Sequence, residues 1–123
     1  MVMALRRAGH TAYDFRESGF SWSDCADEAA LRDPKRFRDE VLTTPVAKEG
    51  FRRDMDALEQ SQATVLVLPC GLSSHLELGY AVGAGQRTIV LFGDDPYGPE
   101  LMYLMCSKIC MTVDEVIQEL EKL

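Results

Sequence analysis

The chain has 123 residues, 46% hydrophobic and 27% charged, with a formal net charge of −7 and an isoelectric point near 4.7. That length suits one domain with a real core over residues 1–123, and the acidic balance makes duplex nucleic acid and anionic membranes poor partners. No apolar run reaches the length of a membrane span, and Met1 to Arg7 is too short for a secretory signal, so a cytoplasmic protein is expected.

In chain order, residues 1–8 read as the end of a helix stopped by Gly9. Thr11-Ala12-Tyr13-Asp14-Phe15 reads as a short strand. Residues 16–32, with Gly19-Phe20-Ser21-Trp22, read as a loop with room for a short helix. Asp33-Pro34 places an N-cap before a proline at the first helical position, which predicts a helix to about Leu42. Thr44-Pro45 repeats the device, and a helix to about Gln60 would turn Val46, Phe51, Met55 and Leu58 toward the core. The unbroken apolar run Ala63–Leu68 predicts a buried strand, and Ser74–Gly83 a helix. Arg87–Phe92 is a second apolar strand closed by the turn signal Gly93-Asp94-Asp95-Pro96. A short helix over Glu100–Met105 and a last strand over Lys108–Met111 follow. Thr112-Val113-Asp114-Glu115 matches a capping box and starts a helix that runs through about Leu120.

Strands that alternate with helices, and are apolar throughout, predict an α/β fold with a parallel sheet of about four strands covered on both faces. Such a domain normally opens on a strand, whereas this chain opens inside a helix. Met1 and Met3 are both plausible starts, and the expectation is that a first strand lies upstream, in this protein or its relatives, and is missing here. The strand at Thr11–Phe15 would then pair with Ala63–Leu68, or a partner chain would fill the gap, and either arrangement predicts an oligomer.

The stretch Pro69-Cys70-Gly71-Leu72-Ser73-Ser74-His75-Leu76-Glu77-Leu78-Gly79-Tyr80-Ala81 stands out. It links the first apolar strand to a helix, and the carboxyl end of a strand in a parallel sheet is where such folds bind ligands. The four cysteines, Cys25, Cys70, Cys106 and Cys110, form no CxxC pair and have two histidines for company, so no zinc spacing is present and no metal site is expected. They read as thiols in a reducing compartment. Cys70 sits beside the proposed site, but no histidine is obviously placed to activate it. Arg52-Arg53 and Arg6-Arg7 are local basic pairs able to hold one phosphate.

Three segments in order carry a family resemblance: Arg7-Ala8-Gly9-His10-Thr11-Ala12-Tyr13-Asp14-Phe15, Phe51-Arg52-Arg53-Asp54-Met55-Asp56-Ala57-Leu58, and Ser73-Ser74-His75-Leu76-Glu77-Leu78-Gly79-Tyr80-Ala81. They resemble the nucleoside 2-deoxyribosyltransferase family, which includes the 2′-deoxynucleoside 5′-monophosphate N-glycosidases. The most specific part is the pattern Ser-x-x-x-Glu-x-Gly-x-Ala. The resemblance implies a flavodoxin-like, Rossmann-like fold with sheet order 2-1-3-4-5, in which the missing strand is the central one. It implies a homodimer or higher homo-oligomer, a small-molecule nucleoside or nucleotide as substrate, and no cofactor. The catalytic glutamate would fall on Glu77 and the helix aspartate on Asp54. Contacts to a 5′-hydroxyl or 5′-phosphate would fall near Ser73 and Ser74. The chain departs from the family in lacking the first strand with its substrate-lining loop. Gly71 stands near where transferases carry an aspartate, and Ser61-Gln62 replaces the usual Ala-Asp. The second departure argues against base transfer and is more compatible with hydrolysis or a different substrate.

Cleaving an N-glycosidic bond builds positive charge at the anomeric carbon, which a carboxylate beneath the sugar can stabilise or capture. Glu77 suits the nucleophile and Asp54 a partner that orients it or handles the proton. By analogy with retaining glycosidases, the two carboxyls would lie about 5 Å apart. Gly71, Ser73 and Ser74 with the helix-start amides suit an anion, and Phe20 and Trp22 could stack on a base. Plainer readings stand beside these. Ser74 and Glu77 also match a capping box, and Asp54 a solvated helix carboxylate. Phe20 and Trp22 could tuck under the core, Met102 and Tyr103 could pack, and His75 could be a surface or capping residue. Gly79, Gly83 and Gly85 could allow helix–strand contact and a helix stop. Asp94-Asp95 could be a solvated turn or rim the site. The alternative functions are a non-catalytic nucleotide-binding module, or an inactive truncated family member that acts only as an oligomer.

Overall fold

The apolar runs make the strands: β1 (Ala63–Val67), β2 (Arg87–Leu91) and β3 (Lys108–Cys110). They form one parallel sheet in the order β1-β2-β3, with Ala63 opposite Arg87, Val67 opposite Leu91, and Leu91 opposite Cys110. The computed structural model describes residues 1–93 and 100–123, and these divide into two units, Met1–Ala12 with Leu58–Leu123, and Tyr13–Ala57. The expected turn at Asp94-Asp95-Pro96 lies outside the described residues.

In the first unit, strand alternation sends side chains to two faces. Ile89 and Leu91 join Leu5, Cys110, Val116 and Leu120 in one cluster. Val90 joins Leu66, Leu68, Leu78 and Tyr103 in the other. The helices that supply these partners are α1 (Val2–Arg7), α5 (Leu72–Gly83) and α6 (Val113–Leu120), and the 3-10 turn Leu101–Met105 brings in Tyr103. Both sheet faces are therefore covered, which is why β2 is apolar throughout. The buried polar residue of β2, Thr88, is satisfied by Ser107: the Ser107 amide donates to Thr88 Oγ1 and the Thr88 amide to Ser107 Oγ, both at 3.1 Å. At α6, Thr112 Oγ1 accepts from the Glu115 amide as a capping box requires, but Glu115 reaches back to the Met111 amide, one residue earlier than the pattern predicts.

Two expectations about this sheet are corrected. Thr11–Phe15 is not a strand, and the described residues hold three strands rather than about four. Local chemistry outcompetes extension there. Asp14 accepts from the Arg16 amide and caps a 3-10 turn over Phe15–Ser18, which Gly19 ends in the left-handed conformation at φ 80°. Arg6 also donates to the Ala12 carbonyl at 2.8 Å, the group a neighbouring strand would otherwise pair.

The second unit is helical: α2 (Glu28–Arg32), α3 (Pro34–Arg36) running into a π-helix over Phe37–Val41, and most of α4 (Pro45–Gln60). Asp27 and Asp33 cap α2 and α3 through their side chains. On α4, Leu58 is buried and Met55 half-buried, but Val46 and Phe51 are exposed, Phe51 by 68%. The buried face runs instead through Ala47 and Gly50. A Cβ on Gly50 would sit 2.8 Å from Phe20 Cδ2, so the loop aromatic supplies the bulk and the helix supplies the space. Phe20 in turn meets Trp22 edge-on with centroids 5.1 Å apart, and Trp22 lies 5.5 Å from Phe37. Met102, expected to pack, is 54% exposed. No helix among the described residues is long and apolar enough to cross a membrane.

Candidate functional site

In the first unit, β1 ends at Val67 and the chain passes through the cis peptide Leu68–Pro69 to Cys70, Gly71 and α5. The helix begins at Leu72 with Gly71 as N-cap, two residues before the expected start. This overturns the capping-box reading of Ser74 and Glu77, because Ser74 is already the third helical residue and Gly71 has no side chain to cap with. The first amides of α5 consequently have no side-chain cap and lie at the carboxyl edge of a parallel sheet. Orphan amides at such an edge suit an anion. Gly71 and Ser73 are exposed, while Ser74 and Glu77 are half-buried. The fold therefore brings Gly71, Ser73, Ser74 and Glu77 together on one strand–helix junction.

His75 is the residue here whose surroundings the sequence does not reveal. Its Nδ1 lies 2.9 Å from the Gly71 carbonyl and its Nε2 2.9 Å from Tyr103 Oη. A carbonyl can only accept, so Nδ1 carries a hydrogen toward Gly71, while Nε2 faces the tyrosine hydroxyl. The His75 and Tyr103 rings also stack at 5.9 Å, and Phe92 lies 5.8 Å from Tyr103. This arrangement fixes the first turn of α5 to the Leu101–Met105 turn. The spacing of 28 residues between His75 and Tyr103 gives no sequence signal for it.

The same histidine stands 3.8 Å from Cys70 Sγ through Nδ1. A nitrogen that already donates to Gly71 cannot serve as the base for the thiol. Burial also pushes the Cys70 thiol up, against a smaller opposing effect from its hydrogen bond with Ser74. Both facts argue for a neutral thiol rather than an activated nucleophile. Burial raises Cys106 and Cys110 likewise.

Asp54, Phe20 and Trp22 belong to the second unit, and Glu77 to the first. Asp54 is half-buried on α4 and accepts a 2.7 Å hydrogen bond from Tyr13 Oη. Phe20 is occupied by its contact with Gly50, whereas Trp22 is 44% exposed. Asp56 lies on the solvent side and pairs with Arg52 at 2.7 Å. That pairing, with Glu49 at 2.6 Å, also answers the expectation of a phosphate-holding basic pair at Arg52-Arg53. The Arg52 fork is held between two carboxylates, and Arg53 Nη1 donates to the Ser18 carbonyl at 3.0 Å. Gly79 and Gly83 meet no atom within 4 Å of a Cβ position, so they do not serve helix–strand contact, while Gly85 at φ 78° does end the helix.

No protein-family model matches the chain, and no curated protein matches it either.

Proposed function

We propose that this chain cleaves or transfers at the N-glycosidic bond of a nucleoside, a deoxynucleoside or a 5′-monophosphate of either, with Glu77 as nucleophile. The observation that carries the reading is the half-buried Glu77 carboxylate one turn into α5, at the carboxyl edge of the sheet and beside amides that no side chain caps. The resemblance of Ser73–Ala81 to the deoxyribosyltransferase pattern gives that carboxylate its role. In this reading Glu77 attacks the anomeric carbon, the base leaves with a proton, and the resulting glycosyl ester is released by water or by an acceptor base. The resemblance assigns Asp54 the role of handling the proton or orienting the nucleophile. The uncapped amides and Ser73 bind the 5′ group. Gly71 in place of an acid favours water as the acceptor. The flavodoxin-like arrangement, a homodimer or larger assembly and a small-molecule nucleotide partner belong to the same reading.

The test is chromatographic detection of base release from a panel of nucleosides and 5′-monophosphates. Release by the wild type is expected, with loss in Glu77→Ala at an unchanged melting midpoint. Asp54→Asn is expected to slow turnover by about 10²–10⁴-fold, the range for a general acid–base group. Saturable nucleotide binding without base release from any member of the panel would instead identify a binding module.

A further inference from the structure

We propose that the outer face of α5 is a two-fold contact between two copies of this chain. It gives the homo-oligomer of the preceding reading a specific surface, and it rests on that part of the reading alone, not on the glycosidase chemistry. Leu72 and Leu76 are 85% and 76% exposed, an unusual state for two leucines one turn apart on a twelve-residue helix. Gly79 and Gly83 continue the same line, with open space where side chains would be. At 100° per residue the four positions fall within a sector of roughly 60°, turned away from the buried Leu78 and Ala81.

The order of sizes makes this stripe self-complementary. Two large residues come first and two absent side chains follow. When a second α5 lies antiparallel on the first, Leu72 meets the partner's Gly83 and Leu76 meets the partner's Gly79. A knob faces a hole at each level, and the two-fold axis passes between Leu76 and Gly79. Each contact occurs twice, as an isologous interface requires. A parallel pairing would set leucine on leucine and glycine on glycine, and leave a gap.

Charge favours the same occupant. The chain carries −7, so two copies repel each other over most of their surfaces. The stripe has no charged residue and is a place where like chains can meet without opposing carboxylates. The turn that His75 ties to α5 also carries exposed Leu101 and Leu104, at 76% and 78%.

Sedimentation velocity on the full chain from about 1 to 100 μM tests this. The wild type is expected at twice the chain's 13.8 kDa. Leu76→Asp and Gly79→Asp are expected to raise the dissociation constant at least tenfold, the effect of losing a central anchor, on the order of 1.4 kcal/mol. Because both positions are exposed, their circular dichroism should match that of the wild type. Phe51→Asp, an exposed apolar site in the second unit, should leave the dimer intact. A wild type that stays monomeric at the highest concentration overturns both the oligomer and the surface. A dimer that survives Leu76→Asp and Gly79→Asp, or that Phe51→Asp dissolves, overturns the surface alone.

Discussion

The two units are built by different forces. In the sheet unit, Ile89, Val90, Cys110 and Val116 are fully buried, and order comes from pairing strands far apart in sequence. In the helical unit, order is local. Asp27 and Asp33 cap their own helices, and ion pairs run along the surface at Glu28–Arg32, Lys35–Asp39, Arg36–Glu40 and Arg52–Asp56. Each of those pairs is solvent-exposed, and exposed pairs contribute little. The sheet unit instead places one buried carboxylate, Glu119, between Lys122 and Arg87. The contrast teaches that the density of ion pairs is a poor guide to where stability resides. The helical unit has many and depends on a few small contacts, Phe20 on Gly50 among them.

Four substitutions sharpen or break this contrast. Ile89→Ala empties a fully buried site of β2 and should cost about 2–5 kcal/mol, read from the denaturant midpoint. A loss under about 1 kcal/mol would mean that the sheet core is looser than its burial implies.

Glu119 should give the next effect, visible as pH dependence. Lys122 first, and Arg87 second, hold its carboxyl below the usual range. A depressed folded value stabilises the protein above the unfolded pKa of about 4.3, and that stability is lost as pH falls from there through the folded value. The melting midpoint should therefore drop on acidification below about pH 4.3. Glu119→Gln should lower it at neutral pH and flatten the acid slope. An unchanged slope would show that Glu119 is not the group responsible.

Gly50→Ala tests the helical unit. The new methyl must displace the Phe20 ring at a cost of about 1–3 kcal/mol, partly offset by about 1 kcal/mol of helix propensity. A net loss near 1 kcal/mol is expected, together with a change in the fluorescence of Trp22, the chain's one tryptophan, which Phe20 contacts edge-on. Adding Phe20→Ala should remove the clash, so the two effects should not add. Stabilisation by Gly50→Ala with unaltered fluorescence would contradict the packing described. Smallest of all, Arg36→Gln should leave the melting midpoint unchanged within error, because its pair with Glu40 is exposed.

Much of the sheet unit is legible along the chain. β1 and β2 follow from unbroken apolar runs, and α6 from Thr112 and Glu115, because each signal lies within a few residues. The helix at Pro34 and the start of α4 at Pro45 follow from proline at the first helical position. Illegible features depend on a competitor or a distant partner. Thr11–Phe15 has strand composition, yet the Asp14 cap and Arg6 claim its backbone. The buried face of α4 cannot be chosen from its own leucine, phenylalanine and valine, because Phe20 decides which side is covered. At the candidate site, the sequence places Glu77 and Ser73 on a strand–helix junction. It cannot show that α5 starts at Leu72, which removes the capping role of Glu77, nor that the Gly71 carbonyl engages His75 Nδ1 and so leaves Cys70 without a base.

The sequence by itself determined the α/β alternation, the parallel pairing of apolar strands and the position of a carboxylate after the first of them, since these follow from periodicity and capping within one or two turns of chain. Only the tertiary structure decided the state of His75 and Cys70, the exposure of Leu72 and Leu76 and the loss of the Thr11–Phe15 strand. Those outcomes are set by groups far away in sequence, or by competition between hydrogen-bond partners that a linear pattern cannot rank.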